Sequence, residues 1–194
     1  TTYVSTSEGK AAGKAEGKAL EQPDPPIQYL PISEINIDVA RFQPKSQADP
    51  KTGVVIEKKL GEWIGLGVPP LVLWEDKSGK KWLVHGHHRL DSLKRSDRTE
   101  AKVQIVREAE GYSEQAAKEL GVVSNVRDSQ GKVRDWAKAL RKTKYTEESA
   151  KKLGILARAF GRQAFVIGKF ASNDLYSLHQ AGNCLLYTSD AADE

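Results

Sequence analysis

Three of the four histidines of this 194-residue chain fall within one short window, His85-Gly86-His87-His88-Arg89. The window follows a strand-like apolar run and precedes a helix-like pattern. Glycine at such a junction lets the backbone approach a ligand closely, and the first N–H groups of a helix favour an anion. Arginine and histidine side chains add charge-assisted donors for phosphate oxygens. The window therefore predicts a site for phosphate or a nucleotide.

Two other interpretations of the window stay open. The histidines could bind a metal ion, although no cysteine and no Asp/Glu cluster nearby would complete a ligand shell. The window could also be a structural turn that contains histidines incidentally. Nucleophilic catalysis is disfavoured, because no serine has a nucleophile-elbow context and the single cysteine, Cys184, lies in the C-terminal tail.

The surrounding pattern predicts the elements that position this window. Apolar runs and turn residues predict a short strand running into a turn at 29–35 and strands at 71–74, 81–85 and 101–107, with a hairpin turn at 76–79 and a loop at 41–44. Helical patterns occupy 54–63, 88–96, 113–127, 130–142, 146–153 and 155–179, the last with breaks at Gly161 and Gly168. We predict an α+β fold in which a small mixed β-sheet with helices is followed by an all-helical C-terminal part.

Two helical segments resemble each other. Residues 113–122 and 146–155 each begin with a hydroxyl residue and acidic residues, and each ends in Leu-Gly followed by an apolar residue. Hydroxyl N-caps and glycine C-caps are frequent helix signals. Both helices are thus expected to end at their glycine, whether the likeness is a repeat or ordinary helix chemistry.

The charge of the chain is concentrated away from its ends. The net charge is +4 in total, but residues 1–27 carry −1 and residues 184–194 carry −3, so residues 28–183 carry +8. Such a basic body favours nucleic acid or phosphate partners, the alternative being a solvated lysine-rich surface. A mean hydropathy of −0.55 and the lack of an apolar run of about 18 residues predict a cytoplasmic protein without membrane spans.

The ends of the sequence are unlike the middle. The chain has no methionine, which predicts a fragment of a longer protein. Residues 1–27 are rich in Ala, Gly, Lys and Glu and are expected to be a disordered linker. Residues 184–194 resemble a translated sequencing-library adapter and are expected to be an artefact. Between them we predict a sheet domain at 28–143 and a helical extension at 144–183.

The order of motifs in residues 28–143 resembles the ParB/sulfiredoxin-like superfamily. Residues 70–74, a turn and residues 82–90 are similar to the family core, in which Gly-x-His/Arg-Arg follows a strand and opens a helix. Residues 30–35 and 41–44 are similar to its entry strand and Arg/Gln loop, and residues 124–128 to its Asn-containing helix. The strongest likeness is to ParB-like domains of large polyvalent proteins from phages and conjugative elements.

This resemblance implies roles for individual residues. The expected contacts to nucleotide phosphates are Gly86, His87, His88 and Arg89, with Arg41 and Gln43 near the base or phosphates. Asn125 and Asp128 would face the phosphates or Mg²⁺, and the implied ligand is CTP or another nucleotide.

If the protein were a nucleotide triphosphatase or a nuclease, His88 and Arg89 would be the catalytic candidates. Ser124 stands where ParB has an acidic residue before Asn125, which disfavours CTP hydrolysis. His87 stands where sulfiredoxin has a cysteine, which excludes the reductase activity.

The helical part has its own likeness. Residues 146–155 resemble the first helix and turn of a helix-turn-helix motif, in which Phe160 would fill the core of the second helix. Four side chains of that second helix would then contact DNA: Arg158, Arg162, Gln163 and Lys169. Residues 155–157 lack the polar N-cap of a recognition helix, so a plain helical support for the sheet domain is the alternative.

These observations favour a ParB-like nucleotide- and DNA-binding module from a phage or plasmid polyprotein. A metal-assisted DNA nuclease on the same fold, or a non-catalytic structural segment, are the alternatives.

Overall fold

The computed structural model describes residues 24–55, 68–127 and 131–181. The chain divides into two compact units. The N-terminal unit contains the chain up to Gln43 together with Gln47–Gly121. The C-terminal unit contains Pro44–Ser46 and the chain from Val122 onward. Asp128, the linker before residue 24 and the tail after residue 181 lie outside the described residues.

The N-terminal unit contains a five-stranded mixed sheet. Its strands are β1 (Gln28–Pro31), β2 (Ile35–Asn36), β3 (Leu71–Glu75), β4 (Lys81–His85) and β5 (Glu100–Arg107). Their order across the sheet is β1-β5-β3-β4-β2. β3 is parallel to β5 and antiparallel to β4, whereas β1 is antiparallel to β5 and β2 is parallel to β4. The predicted α+β fold with a mixed sheet is thus confirmed.

The first helix of this unit was not expected. Residues 41–44 are predicted as a loop, but α1 (Val39–Phe42) is a single helical turn, so the prediction is wrong for Arg41 and Phe42. The side chain of Asp38 accepts a hydrogen bond from the backbone N–H of Arg41 at 3.1 Å, which caps the turn. Phe42 is buried, with its ring centroid 6.0 Å from that of Trp74. Capping and burial together stabilise a helix that short.

The central strand β3 is buried on both faces. Leu73 belongs to a core that includes Leu90 of helix α2 (His87–Arg95), whereas Trp74 packs with Phe42 on the opposite side. Successive strand residues point to opposite faces of a sheet, so a strand covered on both faces needs a continuous apolar run. The run 71–74 has this form.

The β3–β4 connection is the predicted hairpin. Oδ1 of Asp76 accepts hydrogen bonds from the backbone N–H groups of Ser78 and Lys80, and Oδ2 accepts one from Nε1 of Trp82 at 2.8 Å. These bonds, led by those from the side chains of Ser78 and Trp82, lower the pKa of the Asp76 carboxyl. Gly79 completes the turn with a φ of +81°.

The other α-helices in the described residues are α3 (Glu114–Arg127), α4 (Val133–Arg141), α5 (Glu147–Lys152), α6 (Ala159–Phe170) and α7 (Asn173–Gln180). Single 3-10 turns lie at Ile32–Glu34, Glu108–Glu110 and Ile155–Ala157. They confirm the predicted helical C-terminal part, whose core contains Trp136, Leu140 and Phe165. Among the described helices, none has the length and apolar character needed to span a membrane.

The predicted helix breaks at Gly161 and Gly168 are wrong, because both glycines lie inside α6. A methyl group at Gly161 would lie 1.8 Å from the carbonyl oxygen of Ile155, and one at Gly168 would lie 2.6 Å from that of Ala137. These glycines therefore permit close packing against neighbouring backbone. The helix instead begins after Arg158 and ends before Ser172, whose side chain caps α7.

The two similar segments end differently. Thr146 caps α5 through a capping box with Ser149, and Gly154 follows that helix with a φ of +74°, as predicted. Gly121 is instead a helical residue within α3, so the prediction that Gly121 ends its helix is wrong. A methyl group at Gly121 would lie 3.2 Å from the carbonyl oxygen of Val84, which shows that this glycine accommodates strand β4.

Candidate functional site

Gly86 connects β4 to α2 in a conformation that other residues rarely adopt. Its φ is +111° and its ψ is 23°, which lie in the left-handed region. A methyl group at this position would lie 2.6 Å from Cδ2 of Leu71. The carbonyl oxygen of Gly86 accepts the hydrogen bond from the backbone N–H of Leu90 at 2.9 Å. The helix therefore starts immediately at the glycine, and its first turn carries His87, His88 and Arg89.

Arg89 is anchored by the chain that precedes β3. Its Nη1 donates hydrogen bonds to the carbonyl oxygens of Pro69 and Pro70, both at 2.6 Å. The Nε–Nη2 edge of the guanidinium lies beside Gly86, since a methyl group there would be 3.3 Å from Nε and 3.2 Å from Nη2. This edge presents two parallel donors, which is the arrangement that binds carboxylate and phosphate oxygens.

The two histidines of the turn contact one loop. The His87 side chain is 4% exposed, and its ring lies against Gly53. Nε2 of His88 accepts a hydrogen bond from the backbone N–H of Val55 at 3.1 Å. An imidazole nitrogen that accepts a hydrogen bond carries no proton, so neutral His88 has its proton on Nδ1. His85, at the end of β4, is half-buried and lies opposite Val72 in the sheet.

This contact loop, residues 49–55, is held by its own hydrogen bonds. Oδ1 of Asp49 accepts bonds from the backbone N–H groups of Lys51 and Thr52 at 2.9 and 2.8 Å, and from Oγ1 of Thr52. The bond from the Thr52 backbone is the main cause that lowers the pKa of Asp49. Gly53 has a φ of +71°, and its carbonyl oxygen accepts a bond from Nε2 of Gln43 at 2.8 Å. Gln43 thus reaches the turn through this loop.

Arg41 has a different environment from the histidines. Its Nη2 forms an ion pair with Oε2 of Glu114 at 2.5 Å, and its guanidinium lies over the rings of Trp74 and Trp82 at 5.0 and 5.2 Å. The hydrogen bond with Glu114 raises the pKa of Arg41. Hydrogen bonds from Arg41 first, and from Lys118 second, lower the pKa of Glu114 to about 2. Arg41 therefore links α1 to the start of α3.

The two expected metal contacts are Asn125 and Asp128. Asn125 is buried on α3 and belongs to the C-terminal unit. Asp128 lies outside the described residues. Within the described ranges, no group of three or more His, Cys, Asp or Glu residues could hold a metal ion.

The four expected DNA contacts lie at or within α6 and differ in their surroundings. Arg158 is exposed at its N-cap, and Gln163 is half-buried. Nη1 of Arg162 donates to the carbonyl oxygens of Leu156 and Ala157 at 3.2 and 3.3 Å, and Nζ of Lys169 donates to that of Thr143. Arg162 and Lys169 thus also stabilise the C-terminal unit itself.

The structure brings Gly86, His87, His88 and Arg89 together with Gln43 through loop 49–55. Sequence reasoning did not single out Gly53, Val55 or Glu114. The residues Asp49-Pro50-Lys51-Thr52-Gly53 are typical of a turn, so the presence of this loop could have been predicted from the sequence. No pattern in the sequence indicates that this loop would contact the histidines 33 or more residues later.

No protein-family model matches the chain, and no curated protein matches it. Among solved structures, the chain is similar to the C-terminally truncated chromosome-partitioning protein ParB from Caulobacter crescentus complexed to the centromeric parS site. The identity is 13%, the alignment covers 80% of this chain and 78% of that chain, and the TM-score is 0.47.

The chain is also similar to the same ParB complexed with CTP-gamma-S, at 15% identity. That alignment covers 83% of this chain and 87% of that chain, with a TM-score of 0.34. Because both TM-scores are below 0.5, we build the functional proposal on the residues of this chain.

Proposed function

We propose that this chain is a ParB-like module that binds a nucleotide through its phosphates at the Gly86–Arg89 turn and binds DNA through its helical part. CTP with Mg²⁺ is the first ligand to test, since the sequence motifs resemble those of ParB. The setting that we propose is a larger phage or plasmid protein.

The observation that carries the proposal is the position of Arg89 relative to Gly86. The Nε–Nη2 edge of Arg89 lies within about a hydrogen-bond length of the place where a Cβ at residue 86 would stand. That place is itself filled by Leu71, whose Cδ2 is 2.6 Å away, but the guanidinium edge beside it lies at the positive end of a nine-residue helix. An oxyanion that approached this edge of Arg89 would meet a two-pronged donor close to helix N–H groups, which is the combination that phosphate sites use.

The histidines have supporting roles in this proposal. His87 is buried against Gly53, and His88 accepts a bond from Val55, so both fix loop 49–55 at the edge of the turn. Gln43 fixes the same loop from the other side. Asn125 and Asp128 remain the proposed contacts for Mg²⁺, and Arg158 with Gln163 remains a proposed DNA contact.

Nucleotide titration of the full chain tests the phosphate site. Calorimetric titration with CTP and with ATP, each with Mg²⁺, is expected to show binding that Arg89→Ala abolishes. Arg95→Ala is the matched control, because Arg95 lies on the same helix six residues away, or about 9 Å along its axis. Arg89→Lys keeps the charge but loses the fork, and is expected to retain only weak binding. Equal affinity in all three variants would contradict the site.

The same proteins separate the alternative functions. Steady cleavage of duplex DNA in Mg²⁺ or Mn²⁺ that is lost in His88→Ala would indicate a nuclease instead. A protein that binds neither nucleotide nor DNA, yet melts cooperatively, would indicate a structural segment.

A further inference from the structure

The net charge of +8 on residues 28–183 lies in one of the two units of the chain. Residues 28–43 and 47–121 of the N-terminal unit contain 14 basic and 14 acidic residues, so this part of the unit has no net charge. Residues 44–46 and 122–183 contain 13 basic and 5 acidic residues, a net charge of +8. The Gly86–Arg89 turn, which we call the phosphate turn, therefore lies in the N-terminal unit, whereas the attraction for a polyanion comes from the C-terminal unit.

Within the C-terminal unit, helix α4 carries a row of cationic side chains along one face. Arg134, Lys138 and Lys142 are spaced four residues apart, so they lie above one another on the helix surface. Lys138 and Lys142 are exposed, and Arg134 is half-buried. The opposite face of α4 is buried through Trp136 and Leu140. We call Arg134, Lys138 and Lys142 the cation row.

No acidic residue of the described part of the chain forms an ion pair with the cation row. The acidic residues in 131–181 are Asp135, Glu147, Glu148 and Asp174. Asp135 is buried on α4 itself, and the other three are exposed. Like charges four residues apart repel each other on a helix, so the row costs stability unless an anion approaches it.

Helix chemistry alone does not explain the row. Cations near the C-terminal end of a helix are favoured by its dipole, which accounts for Lys138 and Lys142. The same dipole disfavours cations at the N-terminal end, where Lys132 is the N-cap and Arg134 lies in the first turn. Arg134 of the row therefore lies at the end of the helix where the helix dipole is unfavourable to a cation.

The neighbouring helix α7 adds no compensating charge beside Arg134. Nε2 of Gln180 donates to the carbonyl oxygen of Arg134 at 3.1 Å, which places the end of α7 next to the start of α4. The ionisable residue there is His179, whose pKa is lowered by burial first and by the charge of Arg134 second. This lowered pKa favours the uncharged form of His179.

We propose that the cation row is a contact surface for the phosphate backbone of duplex DNA. The inference rests on the proposed DNA-binding function and assigns it a surface on α4, outside the four residues of α6. The row is about 12 Å long at 1.5 Å per helical residue. That length matches the axial rise of three to four phosphates of one strand, at about 3.4 Å each. Such contacts position a protein on DNA without reading the sequence.

The test compares two double variants of the full chain. Lys138→Gln/Lys142→Gln removes two charges from the row, and Lys77→Gln/Lys94→Gln removes two exposed lysine charges from the N-terminal unit. Both have the same net charge, so a difference between them reports position. Affinity for a duplex of about 30 base pairs is measured by fluorescence anisotropy at several salt concentrations.

Loss of two phosphate contacts reduces the slope of log K against log[salt] by about 1.8. Between 50 and 200 mM salt, the row variant is therefore expected to lose about twelvefold less affinity than the wild type does. The control is expected to keep the wild-type slope. Thermal unfolding is expected to be unchanged or slightly higher in the row variant, because like-charge repulsion is removed.

Three other outcomes would each contradict a different part of the reasoning. Equal changes in both double variants would show that net charge alone acts, and would overturn the surface. A wild-type slope in the row variant, while DNA binding persists, would also overturn the surface but leave the proposed function. A wild-type chain that binds no duplex at low salt would refute the DNA-binding function itself.

Discussion

Gly53 offers a sharp test of how loop 49–55 supports the phosphate turn. Its φ is +71°, and a methyl group on it would lie 2.3 Å from Cδ2 of His87. Ordinary contacts begin near 3.4 Å, so Gly53→Ala must shift the His87 ring or the loop by about 1 Å. His87 is 4% exposed and cannot simply turn into solvent.

The expected magnitude follows from two separate costs. A left-handed alanine costs about 1–2 kcal/mol of folding free energy relative to glycine. Overpacking a buried site costs about 1–3 kcal/mol more. Gly79→Ala is the matched control, because Gly79 has a φ of +81° and nothing within 4 Å of its added methyl group. The difference between the two variants therefore isolates the contact with His87.

Urea unfolding gives the free energies, and imidazole NMR signals report His87 and His88 directly. We expect Gly53→Ala to be less stable than Gly79→Ala by about 1–3 kcal/mol. We also expect only Gly53→Ala to move both imidazole signals and to weaken nucleotide binding about tenfold, which corresponds to about 1.4 kcal/mol. Equal stabilities together with unmoved histidine signals would refute the link between loop and turn.

Three further predictions concern other contacts. Gly161→Ala is expected to destabilise the protein by about 1–3 kcal/mol despite its gain in helix propensity. Gly121→Ala is expected to cost less in the same urea titration, because its methyl group would lie 3.1 Å from Cγ1 and 3.2 Å from the carbonyl oxygen of Val84, whereas the contact at Gly161 is 1.8 Å. The pKa of Glu114 is lowered from 4.5 to about 2, so its ion pair with Arg41 stabilises the fold above about pH 4.5 and is lost as the pH falls towards 2. Glu114→Gln is therefore expected to lose less stability than the wild type between pH 7 and pH 3. An equal loss in both proteins would count against the ion pair. Gln43→Ala removes the bond from Nε2 to the carbonyl oxygen of Gly53, and the loss of such a bond is expected to cost about 1 kcal/mol. Hydrogen exchange at the backbone amides of loop 49–55 is expected to be faster in this variant, and unchanged exchange would contradict the anchoring role of Gln43.

Local chemistry predicted most of the sheet. The run 71–74 and Asp76-Lys77-Ser78-Gly79 carry their own signals, an uninterrupted apolar stretch and a turn, so β3, β4 and their hairpin follow from adjacent residues. The sequence pattern did not predict α1, because the stability of this helix depends on the packing of Phe42 against Trp74, 32 residues away. A pattern confined to neighbours does not contain that contact.

Glycines were the least predictable residues, because the same residue serves two purposes. Gly154 ends a helix through its positive φ, whereas Gly121 lies within a helix so that Val84 can approach. Their sequence surroundings are nearly identical. Only the presence or absence of a neighbouring strand distinguishes them, and that is a property of the folded chain.

The candidate turn was recognisable from His85 to Arg89, but its supporting contacts were not. The partners of His88 and Arg89 are backbone groups of Val55, Pro69 and Pro70. Backbone groups are present at every position, so residue types give no indication of which ones are used.

The division of charge between the two units has a kinetic consequence. A field from a charged surface extends about 10 Å at 0.1 M salt, and it accelerates and orients an approaching polyanion before any contact forms. With no net charge on residues 28–43 and 47–121 and a charge of +8 on residues 44–46 and 122–183, productive encounters would begin at the helices of the C-terminal unit. Salt would then slow association more than it hastens dissociation, while occupancy of the phosphate turn would follow as a later and less salt-sensitive event.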